Sequence, residues 1–345
     1  MSNRVVIIYD CPLKSCDKLW LKEELESKGY CIRTINSFFR ISNVEQRGKF
    51  GKAAARMITF WQSIKGLIKS GKGDTVICWS QWSGLFFNLL PGARKRYIIS
   101  CNWLTPVQNE KTRKLYAKAL QNRNLAAVIN SPETKERILR TYRVEDYGNI
   151  IYIPDVFDDR EPFRNPVYRE EQRFCFSGGR ANRDWELLME IAAVCPEIDF
   201  RFIAVKSDWN DKIAVPKNVQ IFFDLEPAKY YQLLKDSYMA IFPLKEDRVS
   251  GLINLLKSVQ MGKPVLTTGI SFTGIYFPEE NKNCLLPFGD SASWKKMLEQ
   301  IWNYDEEQYK THVKSMQEYI RQTFSPEMAG KKIDEIIRQF RCSME

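Results

Sequence analysis

At 345 residues the chain is longer than one core comfortably fills, so two domains of roughly 150 residues each are expected. Apolar residues make up 44% and aromatic residues 13%, enough for ordinary packed interiors, and no run of about 18 apolar residues is present to cross a membrane as a helix. The net charge of +10 is unevenly held: residues 1–150 carry 26 Lys+Arg against 12 Asp+Glu, and residues 151–345 carry 26 against 30.

So basic a first half suits an anionic partner such as a phospholipid face, a nucleic acid or a polyanionic acceptor; a Lys-rich soluble surface is the alternative. The nine cysteines are an odd number, spread from Cys11 to Cys342 without a C-x-x-C. The apolar stretch after Asn3 and Arg4 is too short for a secretory signal, so a reduced, cytosolic protein is expected.

β and α signals alternate along the chain. The apolar run 4–9 (RVVIIY) before Asp10-Cys11-Pro12 reads as a buried parallel strand entering a loop. Leu21 and Leu25, four apart within 17–28, mark a helix closed by Gly29, and 30–35 is a second strand. In a helix over 50–69, Met57, Phe60, Trp61, Ile64 and Ile68 form one stripe. A helix between strands turns such a stripe toward its sheet, which assigns Phe60 and Trp61 to the core. Strands at 74–79, 97–101, 126–130 and 150–153 continue the series.

Residues 154–172 hold three prolines and many charges without periodicity and read as an interdomain linker. A second series follows, with strands at 174–177, 200–205, 219–223, 239–243 and 264–267 and helices at 184–194, 228–237 and 251–261. Helices at 293–303, 306–322 and 326–340 end the chain. The expected fold class is α/β, with two Rossmann-like, doubly wound domains. The expected bounds are 1–158 for the first domain, 159–172 for the linker and 173–325 for the second domain, the terminal helix 326–345 packing back on the first.

In such sheets ligands bind outside the carboxyl ends of the strands, and two loops of the second domain stand out there. The stretch 176–185 (FSGGRANRDW) sets Ser177 and Gly178-Gly179, where backbone can approach a ligand closely, ahead of Arg180 and Arg183. Guanidinium groups match phosphate oxygens; a structural Gly-Gly turn with surface arginines is the other reading, and Asp184 is placed to cap the next helix. The stretch 248–265 (RVSGLINLLKSVQMGKPV) starts a helix at Ser250-Gly251. Unpaired N–H groups and the positive end of the helix dipole would meet a diphosphate there.

The order GGR-x-x-RDW, a strand–helix–strand ending in Pro243, SG-x-x-x-LL-x-S-x-x-x-GKPV and 281–290 (NKNCLLPFGD) resembles nucleotide-sugar glycosyltransferases of the GT-B fold, close to glycosyltransferase family 4. The resemblance covers roughly residues 150–340; 153–158 (IPDVFD) is similar to that family's domain-junction motif and Phe324-Ser325 to its ending. It implies two Rossmann-like domains facing a central cleft. It also implies a donor site made of Ser177, Gly178, Gly179, Arg180, Arg183, Glu246, Ser250, Gly251, Leu252, Asn254 and Lys257. Arg180 and Arg183 resemble the basic residues that neutralise the leaving diphosphate, where negative charge grows as the sugar bond breaks. The chain has no Asp-x-Asp, which argues against the metal-dependent GT-A solution. No metal or other cofactor is therefore expected beyond a UDP- or GDP-linked sugar as co-substrate.

The chain departs from the family pattern in two places. The paired glutamates ahead of Gly-Lys-Pro fall on Val249 and Lys257. The second normally holds ribose hydroxyls, so Lys257 binds ribose differently, approaches phosphate or faces solvent, while Glu246, Asp247 or Asn254 take over part of that work. The family's N-terminal histidine is missing, and the one histidine, His312, lies on a late helix where a surface position is expected. The anomeric outcome is thus open between retention and inversion.

Inversion requires a base near the acceptor hydroxyl, and Asp10 at the end of the first strand is the candidate, with a loop-capping role as the alternative. Asp17 and Glu110 lie on loops nearby, and Ser80-Gln81, Ser100-Cys101-Asn102 and Ser131 sit at strand ends that would line an acceptor pocket. Between Arg47 and Lys72 seven cationic residues and no acid interleave with Phe50, Phe60 and Trp61, and Arg94-Lys95-Arg96 follows 85–90 (LFFNLL). Such segments suit an anionic lipid surface. The reading is a metal-independent hexosyltransferase acting on a saccharide or lipid-linked saccharide, as in bacterial surface-polysaccharide assembly. It would be cytoplasmic or peripheral at the inner face of the membrane, without a nucleic-acid partner. A nucleotide-sugar epimerase or hydrolase on the same fold, or a non-enzymatic binder of anionic surfaces, is the alternative.

Overall fold

The apolar runs pair in parallel throughout both halves of the chain. The structure, a computed structural model, describes residues 3–13, 19–45, 48–101, 109–146, 148–157, 162–171, 173–179, 182–247, 252–270 and 272–342. It divides into two units, residues 1–158 with 324–345, and residues 159–323.

The first unit contains β1 (Arg4–Ile8), β2 (Cys31–Ile35), β3 (Thr75–Cys78), β4 (Tyr97–Ser100), β5 (Leu125–Ile129) and β6 (Ile150–Tyr152) in the order β2-β1-β3-β4-β5-β6. All neighbours are parallel, so consecutive strands need crossover segments. These are α1 (Trp20–Ser27), α2 (Ile41–Glu45), α3 (Gly48–Lys69), α4 (Gln81–Leu89), α5 (Glu110–Leu120) and α6 (Pro132–Tyr142). Successive side chains of a strand point to opposite faces, and β1 accordingly feeds two cores. Val5 and Ile7 join Leu21 and Leu25 of α1 with Ile333, Ile336 and Ile337. Val6 and Ile8 join Leu85, Phe87 and Tyr116 on the other face. The three distal isoleucines lie on α12 (Pro326–Cys342), which is tied down by a hydrogen bond from the Tyr30 hydroxyl to Asp334.

Helix α3 reverses the expected orientation. It buries Gly51, Ala55, Thr59, Gln62, Ser63 and Gly66. A Cβ on Gly66 would stand 2.6 Å from Ile8 Cδ1, so the helix lies directly on β1, and Gln62 Nε2 donates to Tyr9 O at 3.0 Å. Small side chains permit that approach and leave no depth for rings on the same side. Phe60 and Trp61, expected in the core, are therefore exposed.

The second unit holds β7 (Cys175–Gly178), β8 (Phe200–Ala204), β9 (Val219–Phe223), β10 (Met239–Phe242), β11 (Val265–Thr268) and β12 (Leu285–Leu286) in the parallel order β12-β11-β10-β7-β8-β9. Its helices are α7 (Trp185–Val194), α8 (Pro227–Asp236), α9 (Leu252–Gln260), α10 (Ser291–Trp302) and α11 (Glu306–Thr323). The short β12 was not expected. The stretch read as a linker is anchored instead: Arg164 N donates to Gln260 O at 2.8 Å, and Arg164 O accepts from Gln317 Nε2 at 2.9 Å.

His312, expected at the surface, is half-buried on α11, because it shares the helix face of Tyr309, Val313 and Met316. Its Nδ1 lies 3.0 Å from Asn281 Nδ2, and burial holds the imidazole pKa down to about 4. Below its ordinary pKa the unfolded chain takes up a proton that the folded chain refuses, so acidification favours unfolding. Urea denaturation should lose about 2 kcal/mol of stability between about pH 6.5 and 5, and His312→Gln should abolish most of that loss.

Candidate functional site

The second sheet reverses its order between β7 and β10. From β7 the chain builds outward through β8 and β9, then returns to the other side for β10, β11 and β12. A reversal of this kind is where open α/β sheets form a ligand crevice, and the loops that leave β7 and β10 meet there. In the first sheet the same reversal falls between β1 and β3, and Asp10 follows β1 while Ser80 follows β3.

Asn182 joins the two loops of the second sheet. Its Nδ2 donates to Glu246 O at 2.8 Å, its Oδ1 accepts from Glu246 N at 2.9 Å, and its own carbonyl accepts from Lys245 N at 3.1 Å. The backbone at Asn182 has φ 58°, a left-handed conformation that Asn tolerates better than most residues. Arg183 and Leu244 add an isolated antiparallel bridge beside it.

Arg183 is buried within this junction. Nη2 donates to Gly178 O at 2.9 Å and Nη1 to Pro243 O at 3.2 Å, so one guanidinium spans the ends of β7 and β10. The Phe242 ring lies 4.8 Å beneath it, a favourable cation–π placement. Nε has no partner, and among the described residues no carboxylate pairs with the side chain. Burial lowers its pKa to about 10, which leaves it cationic at neutral pH.

The glycine pair is required by its surroundings. A Cβ on Gly178 would stand 2.7 Å from the Tyr230 hydroxyl, and one on Gly179, at φ 128°, would stand 3.0 Å from Asn254 Nδ2 and 3.1 Å from Arg183 Nη2. Asn254 Nδ2 also donates to Gly178 O at 3.2 Å. Ser177 is fully buried, and neither its Oγ nor the buried Tyr230 hydroxyl has a hydrogen-bond partner. Burial raises the Tyr230 pKa, which keeps the hydroxyl protonated. Tyr230 and Asn182 went unnoticed in the sequence; only the Asn beside a glycine pair carried a signal, that of a left-handed turn residue.

Other expected site residues fall as follows. Arg180, Ser250, Gly251, Val249, Asp17 and Asn102 lie outside the described residues. Leu252 opens α9 and is buried, Glu246 is exposed, and Lys257 Nζ donates to Gln260 Oε1 at 2.9 Å on its own helix. Asp184 caps α7 by accepting from Leu187 N. Asp10 is half-buried and its carbonyl accepts from Ile41 N at 2.9 Å. Glu110 begins α5 and pairs with Lys114 at 3.1 Å. Ser80 caps α4, with Gln81 as its first residue; Ser131 is buried and bonded to Glu133, and Ser100 is buried under Gly84. Cys101 is buried as well.

Among the described residues one group brings metal-ligand atoms within 4.8 Å of each other, Cys195, Glu197 and Glu299. It sits beside the start of β8, at the opposite end of the sheet from the loops above. Lys295 Nζ, 3.0 Å from Glu299, supplies positive charge there.

No protein-family model matches the sequence, and no curated protein matches it. Solved structures do match in fold. A glycosyltransferase from Rickettsia africae is similar with TM-score 0.67 at 14% identity, over 98% of this chain and 98% of that one. Anabaena HepE, solved in complex with UDP and glucose, gives 0.65 at 11% identity over 97% and 99%. Sucrose-phosphate synthase of Thermosynechococcus elongatus gives 0.66 at 13% identity over 99% of both chains. The fold is that of GT-B proteins, two Rossmann-like α/β units.

The Asn182 junction is open to a direct test. Asn182→Ala removes the two side-chain hydrogen bonds to Glu246 and places alanine at positive φ; urea unfolding should show a loss of about 2 kcal/mol.

Proposed function

We propose that the chain is a glycosyltransferase that binds a nucleoside diphosphate sugar at the β7–β10 switch point and transfers the glycosyl group to a saccharide or lipid-linked saccharide. The observation that carries this reading is Arg183: a buried cation that no carboxylate among the described residues pairs with, its Nε unpartnered, between the two loops where the sheet reverses. Desolvating a lone cation is costly unless an anion stands close, and a diphosphate supplies one. The orphaned Tyr230 and Ser177 hydroxyls beside it suit the remaining phosphate or sugar oxygens.

In the proposed reaction the bond between the anomeric carbon and the diphosphate oxygen breaks, and its electron pair leaves with the nucleotide. Arg183, with Arg180 and the N–H groups at Ser250 and Gly251, stabilises that charge without a metal. The acceptor oxygen forms the new bond to the anomeric carbon and gives up its proton. Asp10, at the switch point of the first sheet, is the proposed base for an inverting course. HepE, with its UDP, supports a uridine-linked hexose as the donor to test before others. A basic first half supports an acceptor rich in phosphate or attached to lipid, as in surface-polysaccharide assembly at the inner face of the membrane.

Isothermal titration with UDP, GDP, ADP, CDP and dTDP should show binding of one of them, and silence with all five would remove the reading. Tyr230→Phe deletes a hydroxyl that has no protein partner, so unliganded stability should hold or rise slightly while nucleotide affinity falls several-fold, about 3–10-fold. Arg183→Met should cost affinity at least about tenfold. Unchanged affinity in both variants would move the site elsewhere.

A further inference from the structure

The outer face of α3 has no counterpart in the donor site. Phe50 is 92% exposed, Met57 71%, Trp61 57% and Ile68 77%. With half-buried Ile64 they follow one another at steps of seven, four, three and four residues, which places them on one line along a helix, opposite the small residues that rest on the sheet. From Phe50 to Ile68 the line runs roughly 27 Å. Phe60 flanks it and stands edge-on to Phe86, with ring centroids 5.8 Å apart, which fixes the stripe to the unit.

Charge accompanies the stripe on both sides. By helical spacing Lys49 lies along one border and Lys65 and Lys69 along the other, and Lys65 Nζ is 5.9 Å from the Trp61 ring centre. Residues 46–73 contain no acid. Glu45, on the neighbouring helix, is matched by Arg56 at 2.6 Å and leaves no net negative charge against the stripe.

We propose that α3 is a docking helix for an anionic lipid surface, lying in the plane of the interface with Phe50, Met57, Trp61 and Ile68 among the acyl chains and the bordering lysines on lipid phosphates. An apolar line with Lys49 on one border and Lys65 and Lys69 on the other is the complement of that interface, whose surface is anionic and whose interior is hydrocarbon. A second copy of the chain would bring like charges together along the whole contact. A nucleic acid would match the lysines and leave the aromatic and aliphatic groups in water. The proposal does not depend on the glycosyltransferase reading, since it uses no residue of the donor site.

The full chain is to be co-sedimented with phosphatidylcholine vesicles with and without phosphatidylglycerol. Binding to the anionic vesicles should exceed binding to the neutral ones by about tenfold or more. Combined Phe50→Ser, Trp61→Ser and Ile68→Ser should lower that affinity at least about tenfold, since the area lost is almost all exposed and the fold, checked by circular dichroism and the thermal transition, is kept. A second variant, Lys49→Glu with Lys65→Glu and Lys69→Glu, keeps the apolar line and should lose the preference for anionic vesicles. Absence of partition onto anionic vesicles, or partition unchanged in both variants, overturns the proposal. Binding of single-stranded RNA that vesicles do not displace, or a concentration-dependent dimer that the serine variant dissolves, identifies a different occupant and overturns it too.

Discussion

The guanidinium of Arg183 donates to the carbonyls that end β7 and follow β10, and thereby holds together the two strands between which the second sheet reverses its order. Each carbonyl has a second donor, Asn254 Nδ2 for Gly178 and Asp184 N for Pro243, and the guanidinium ties the two sets together. The glycine pair follows from the same contact, because the side chains of Arg183, Asn254 and Tyr230 occupy the space that Cβ atoms at 178 and 179 would need. Asn182 then fixes the adjoining loop by pairing with both backbone groups of Glu246. These hydrogen bonds tie the junction on its protein side and leave Arg183 Nε and the Ser177 and Tyr230 hydroxyls without partners.

Much of the architecture was legible in the sequence, because strands buried on both faces are continuous apolar runs and the intervening helices carry clear stops such as Gly29. Two Rossmann-like sheets follow from that alternation. What periodicity could not convey was direction. The stripe of α3 is real, yet its helix rests on the sheet through Gly51, Ala55, Thr59, Ser63 and Gly66, a second line of small residues that was equally readable and outcompetes the large one for the close approach to β1. His312 was misplaced for a related reason: one polar residue on the apolar face of α11 was judged by type, whereas its position beside Tyr309, Val313 and Met316 decided its burial. A pair of leucines as brief as β12 offers no pattern at all.

At the candidate site, spacing located the loops and could not apportion the roles within them. Arg183 was read as a partner of the donor diphosphate; it is buried, and its terminal nitrogens donate to the carbonyls of Gly178 and Pro243. Lys257, which replaces an expected acid, turns to Gln260 on its own helix. Tyr230 reaches the loop from α8, some fifty positions downstream in sequence, and nothing in the local pattern around it signals that contact. Residues brought together by sheet topology leave no trace in spacing when each lies on a different crossover.

The terminal helix α12 closes the layer over Val5 and Ile7, so the first unit is assembled from two ends of the chain with the whole second unit spooled between them. During synthesis β1 keeps one flank bare until residues 326–342 have emerged, whereas residues 159–323 are continuous and free to settle beforehand. The unit that β1 opens is thus completed after the one enclosed within it, and removal of α12 uncovers Val5 and Ile7.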